Sequence, residues 1–262
     1  MIYQEFECDP ALSSFILCYW KFEVPSKKDA PPSFQHFIVP DGCPSLVFFV
    51  HTKAGYRGSS LFGPTKHISE REVFRGSKTI GIRFRPGLIT SICGLNGIDL
   101  RDQNIRPAPP IGDLELPAIY ANIEDDTNLI SELNRQFLAS DLRPESRDAA
   151  VIQAAEAIMA SKGNLSISHL ITQLPKSERQ LQKIFKREIG LSMKEFAIAM
   201  RIRASVIDLE YHKTDYQDAV FDMGYFDQAH FIRDFSNISS ISLPDFKRYI
   251  RNIQHIGLAH RQ

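Results

Sequence analysis

Side chains able to recognise another molecule are concentrated at helical spacing in the second half of the chain. Arg179, Gln182, Lys183, Lys186 and Arg187 form one group, and Gln228, Ala229, His230, Ile232 and Arg233 form another. In each group the residues between them are apolar at three- and four-residue intervals: Leu181, Ile184 and Phe185 in the first, Phe231 and Phe235 in the second. A helix with this pattern docks on a core through one face and presents cations and amides on the other. Such donors suit base edges and phosphates: Arg pairs bidentately with guanine, Gln with adenine, and Lys neutralises the backbone. Ile232, with no donor, matches a thymine methyl. Both groups are therefore candidate contacts to duplex DNA.

The first half offers less. It has no G-x-S-x-G elbow, H-E-x-x-H pair, Walker loop or glycine-rich dinucleotide turn, so no enzyme is expected. Cys8, Cys18, Cys43 and Cys93 lack the close spacing of zinc ligands or of a small disulfide framework and read as reduced thiols. His36, His51 and His67 lie far apart, and Glu70 and Glu72 fit a solvated strand edge, so neither a metal nor a cofactor is expected. Tyr19, Trp20, Asp41, Arg83 and Arg85 remain as candidate effector-binding residues. Each also has a plain structural alternative: core for the two aromatics, a turn for Asp41, ion pairs for the arginines.

The elements that must hold these residues follow from composition and pattern. The 262 residues suit two domains, and 43% hydrophobic with 24% charged residues is the composition of a globular chain. Basic and acidic side chains balance at 31 each, but residues 150–262 hold 15 basic against 12 acidic, leaving 16 against 19 before them. The opening residues lack a signal-peptide pattern and no apolar run reaches a membrane span, which predicts a cytoplasmic protein without membrane contact. Phe37-Ile38-Val39, Pro40-Asp41-Gly42 and Leu46 to Val50 predict strand, turn and strand, and Thr79 to Arg85 alternates at period two. Helical spacing over Leu114 to Leu138 predicts one or two helices closing a first domain at 1–143. A linker is expected over Ser140 to Ser146. Residues 146–252 then read as six or seven short helices, with a tail at 253–262.

The helical region repeats. A fifty-residue offset places Leu181 on Phe231, Phe185 on Phe235, Ser192 on Ser242 and Phe196 on Phe246. Each copy carries an N-cap, Ser177 or Asp227, before a helix, a turn and a further capped helix. Asp218 to Met223, Gly224-Tyr225 and Asp227 to Phe235 give helix, turn and helix in the second copy. Lys194 to Leu209, striped by Phe196, Met200, Ile202, Val206 and Leu209, is expected to pack between the two.

Over about residues 150–250 this sequence resembles the AraC-type (AraC/XylS) transcription regulators. The resemblance rests on Leu181-x-x-Ile184-Phe185-Lys186-Arg187-x-x-Gly190-Leu191-Ser192 and on the run from Met223-Gly224-Tyr225 to Asp234-Phe235. Val39-Pro40-Asp41-Gly42-Cys43 and Gly81 to Gly87 resemble the β-rich sensor domain of one branch. Departures include Pro175 in the first turn and Ser236-Asn237 where the family has cations, which implies weaker phosphate contact from the second copy. The resemblance implies an α+β chain: a mainly β domain, as a cupin-like barrel, before an all-α domain of two helix-turn-helix units. It also implies an activator or repressor that reads duplex DNA at the two groups named above. RNA polymerase, a small-molecule effector and a second copy of the chain are the further partners expected. The alternative is an alkylation-repair type of regulator with a methyl-accepting cysteine.

Overall fold

The computed structural model describes residues 1–27, 29–51, 54–88, 93–111, 114–140, 148–211, 224–225 and 227–256. All of the expected linker after Ser140, the first helix of the second repeat at Asp218 to Met223 and the last part of the expected tail lie outside the described residues.

The first part is β-rich and the second helical, as the sequence predicts. Strands β1 (Ile2–Phe6), β2 (Ile16–Glu23), β4 (Ser45–His51), β5 (Tyr56–Phe62), β7 (Ser77–Phe84), β8 (Asn104–Ile105) and β9 (Gln254–Ile256) form one sheet in the order β8-β5-β4-β7-β2-β1-β9. β3 (Ser33–Ile38) and β6 (Ser69–Phe74) form a separate antiparallel pair. The expected cupin-like barrel is not closed. The margins of the large sheet are the short strands β8, on β5, and β9, on β1, and these two do not pair with each other. The Pro40-Asp41-Gly42 turn does form, with Asp41 Oδ1 accepting from the Cys43 N–H at 2.9 Å. It carries the chain from one sheet to the other instead of joining a hairpin.

One face of the large sheet is the core of the first domain. Ile80, Ile82 and Phe84 of β7, Leu46 and Phe48 of β4 and Tyr19 of β2 pack there. After α1 (Gly97–Leu100), two helices cover this face, α2 (Leu116–Ala121) and α3 (Asp126–Ala139), the latter through Leu129, Leu133 and Phe137. Asp125 caps α3, accepting from the Asn128 N–H.

The helical part comprises α4 (Ala149–Ala160), α5 (Ile167–Thr172), α6 (Glu178–Ile189), α7 (Met193–Tyr211), α8 (Gln228–Ile238) and α9 (Leu243–Ile250) among the described residues. Leu181, Phe185 and Phe196 centre one core around α4 to α7. Phe231, Phe235 and Phe246 centre another, and this one draws Ile68, with Phe37 and Val39 packed against it, from the β-rich part. The two parts thus share an apolar interior, where separately folded domains meet through wetter surfaces. Residues 254–256, expected within a tail, run parallel to β1, with Ile2 opposite Gln254.

Candidate nucleic-acid interface

Helix α6 begins at Ser177, whose N–H and hydroxyl both donate to Gln180 Oε1, and ends on Gly190 at a left-handed φ of 87°. These caps set the ends of the helix, and its apolar spacing sets which face turns inward. Leu181, Phe185 and Ile189 are buried, while Arg179, Gln182, Lys183, Lys186 and Arg187 are exposed. Gln182 Nε2 donates to Glu178 Oε1 at 2.9 Å and Arg187 lies 3.3 Å from Glu188. Among the described residues Arg179, Lys183 and Lys186 make no ion pair, so their charge is available to a partner.

Helix α8 is capped by Asp227, which accepts from the His230 N–H at 2.7 Å. Phe231, Phe235 and Ile238 are buried, and Gln228, Ala229, Ile232 and Arg233 are exposed. His230 differs from its neighbours. It is half-buried, with its ring edge-on to Tyr225 at 5.1 Å and its Nε2 3.9 Å from Asp234, so it supports the turn before the helix as well as bordering the outer face. In α9, Arg248 is exposed and bonded to Asp245 at 3.1 Å.

The connecting helix α7 buries Phe196, Ile202 and Val206 of its expected stripe, and Met200 packs against the first core. The side chain of Leu209 lies outside the described residues. Two arginines on α7, unremarked in the sequence, join the surrounding parts. Arg201 donates to the Gly163 carbonyl at 2.9 Å and lies 5.1 Å from the Tyr225 ring centre, touching both units. Arg203 Nη2 donates to Glu5 Oε1 of β1 at 3.0 Å. Nearer its start, α7 offers Glu195 to Arg101 in a bidentate bond of 2.8 and 3.2 Å and to Lys66 at 3.2 Å.

Glu5 is the centre of a buried polar cluster on the face of the sheet away from α3. Its Oε1 accepts from Arg83 at 2.7 Å, from Arg203 and from the Tyr3 hydroxyl at 2.6 Å. Burial alone would raise the Glu5 carboxyl, but the two guanidiniums and the Tyr3 hydroxyl hold it at about 2. Glu195 is likewise held at about 2: burial opposes ionisation, and Arg101, Ser192 and Lys66 outweigh it.

The cluster brings together three of the five candidate effector residues. Arg83 is also bonded to Asp41, 2.5 Å from its Nε, and Trp20 lies across the strand pair from Glu5 and stacks near Tyr3 at 6.1 Å. Tyr19 points to the opposite face, where its hydroxyl donates to Asn134 at 3.0 Å. Arg85 is outside the cluster too, donating to the Ser13 carbonyl and lying 3.9 Å from Glu156. Arg83 is therefore engaged by Glu5, Asp41 and Tyr3, and Trp20 Nε1 is, with Arg83 Nε, a buried donor here without a hydrogen bond among the described residues.

Burial raises the thiols of Cys8, Cys18, Cys43 and Cys93, Cys18 to about 12, the reverse of what an acceptor thiolate requires. Among the described residues no group of three His, Cys, Asp or Glu side chains is placed to hold a metal. No described helix is long and apolar enough to cross a membrane.

Two capped helices present donors outward, one in each repeat, and are joined by a long, largely buried helix; the first helix of the second helix-turn-helix unit lies outside the described residues. Residues 170–249 match a family described as a helix-turn-helix domain, and residues 4–106 match a domain of unknown function, DUF6597. The chain carries an AraC-type helix-turn-helix domain behind a β-rich domain of that second family. The Msm operon regulatory protein of Streptococcus mutans is 28% identical over 127 residues, 47% of this chain. The chain spans about half of that relative, 46% of its length. Among solved structures, ToxT from Vibrio cholerae aligns over 83% of this chain and 98% of its own, at 10% identity and a TM-score of 0.46. ToxT with a bound unsaturated fatty acid aligns over 84% and 96%, at 11% identity and a TM-score of 0.43.

Proposed function

We propose that this chain is a sequence-specific transcription regulator that reads duplex DNA with α6 and α8, and that its β-rich domain modulates the binding. The observation that carries the reading is the pair of outward faces: Arg179, Gln182, Lys183, Lys186 and Arg187 on one helix, Gln228, Ala229, Ile232 and Arg233 on the other, all exposed. Each helix has its apolar side buried and its start capped, the form needed to enter a major groove. Two such helices in one chain engage adjacent grooves, about 34 Å apart, without a second copy. His230 serves as a border contact. RNA polymerase is the further partner this reading requires. Selection of bound sites from random duplex DNA, followed by footprinting, tests it. A two-part footprint is expected, and no enrichment at low salt overturns the reading.

The modulating role rests on the shared core, which makes the β-rich domain a support for the second helix-turn-helix unit. A small-molecule effector or a second copy of the chain would act through it. Trp20 supplies the donor for an effector, and it is the chain's single tryptophan, so intrinsic fluorescence reports occupancy directly. A compound that changes DNA affinity while leaving the Trp20 emission unchanged would remove Trp20 from this role.

A further inference from the structure

Among the described residues the β-rich domain touches the helical domain at several places, on different parts of it. Gly97 of α1 lies against the end of α6, so close that a Cβ there would sit 2.2 Å from the Glu188 carbonyl oxygen. The Ile68 N–H donates to the Ile238 carbonyl at the end of α8, 2.7 Å, and Phe37 packs edge-on to Tyr249 of α9 at 4.9 Å. Between these, Glu5 bonds Arg203 on α7. Both reading helices and their connector therefore rest on the β-rich domain.

Charge balance explains why the central tie crosses the domains. Within the β-rich domain, Arg83 faces two carboxylates, Glu5 and Asp41, which leaves one buried negative charge. Arg203 supplies the matching positive charge from α7. Buried charge without a partner is strongly disfavoured, so the sheet face and α7 are held in one register. Glu195, eight residues earlier on α7 and so about 12 Å along the helix, takes Arg101 and Lys66. One tie restrains the half of α7 next to the first unit, and the other restrains the half that leads toward the second.

We propose that the Glu5–Arg203 bond makes the β-rich domain a gauge for the two units, fixing the separation of the DNA half-sites that the chain accepts. This rests on the DNA-binding reading above. Arg203 acts as a positioning residue: it bonds Glu5, and its effect on DNA passes through α7. Adding one base pair between half-sites moves them apart by about 3.4 Å and turns one by about 35°. Units held on one support cannot follow that change, whereas units that swivel can.

The test uses the full chain and its selected site, with duplexes carrying one base pair more or fewer between half-sites and a duplex with one half-site alone. The wild-type chain is expected to lose at least about tenfold in affinity when the spacing changes. Arg203→Gln is expected to bind the original site about tenfold more weakly, with a spacing penalty below about threefold and unchanged affinity for the single half-site. Arg203→Lys, which keeps the charge, is expected to restore most of the penalty. Circular dichroism checks folding; if Arg203→Gln does not fold, Glu5→Gln is read in its place with the same expectation. A folded variant that keeps the wild-type penalty overturns the gauge while leaving DNA binding intact. A wild-type chain that selects no duplex overturns the DNA-binding reading itself.

Discussion

Removing the cations of Lys186 and Arg187 should weaken DNA binding through salt dependence more than through base preference. Both side chains are exposed at the end of α6. Lys186 makes no ion pair among the described residues, and Arg187 meets Glu188 in a pair that is itself exposed on the arginine side, 58%. Exposed pairs contribute about 0–1 kcal/mol, so Arg187 is nearly as available as Lys186. Each phosphate neutralised adds roughly 0.9 to the slope of log affinity against log salt, so Lys186→Ala/Arg187→Ala should reduce that slope by about 1–2. Between 50 and 200 mM salt a reduction near 1.8 makes the fall in affinity about tenfold smaller than in the wild-type chain. The comparison is Lys247→Ala/Arg248→Ala on α9. Arg248 pairs with Asp245 in an exposed pair and is as available as Arg187, but Lys247 is half-buried, so the slope should change by about 1 at most. Fluorescence anisotropy on the selected site at four or more salt concentrations gives both slopes. An equal or larger change for the α9 pair would refute the reasoning and show that the units share the backbone contacts evenly.

Three further outcomes are expected. Arg179→Ala and Arg233→Ala should each cost about 1–3 kcal/mol on the preferred site and relax preference at one base pair, read by competition with single-base variants; uniform weakening would assign them to phosphates. Gly190→Ala should lower stability by more than about 2 kcal/mol, because its left-handed φ costs roughly 1–2 kcal/mol and its Cβ would lie 2.4 Å from the Gly97 carbonyl oxygen. Gly55→Ala, at φ +64° with nothing within 4 Å, should cost only the backbone part, and equal urea midpoints for the two would contradict the close contact. In acid, Glu5 and Glu195 are both held near 2, below the ordinary 4.5, so the stability they provide is present above pH 4.5 and lost as pH falls toward 2. For Glu5 this is on the order of 3 kcal/mol, and Glu5→Gln should flatten the urea midpoint between pH 5 and 3; an unchanged profile would show that the carboxylate is not held there.

The reading helices were legible because their signals are local. Ser177 and Asp227 mark starts, Gly190 marks a stop, and the apolar residues between them recur at helical spacing whatever the rest of the chain does. The two helices closing the first domain are legible for the same reason. Strand pairing is different, since Phe37-Ile38 has the same composition whether it pairs with Leu46 to Val50 or, as here, with Ser69 to Phe74. The closed barrel failed on that point, because nothing in the residues 254–256 announces a strand for the edge of β1. Glu5 sits in an ordinary alternating stretch, and its partner Arg203 is 198 residues away on a helix with other exposed and half-buried cations. A pair set by charge balance across two domains has no local signature. Among the effector candidates, Trp20 and Arg83 converge because residues two apart share a sheet face, the turn at Asp41 brings its carboxylate to Arg83, and Tyr19, one residue from Trp20, is turned to the opposite side.

The parallel pairing of β9 on β1 also bears on how the molecule is made. Ile2 to Gln4 are made about 250 residues before the segment opposite them, 254–256, which follows every described helix of the second domain. During synthesis the outer edge of β1 therefore stays uncovered while more than two hundred residues are added, and an uncovered edge is a template for pairing with other chains. Closing so long a loop is among the last steps in assembling the sheet. Translation that stops short of β9 should therefore release a chain more prone to self-association.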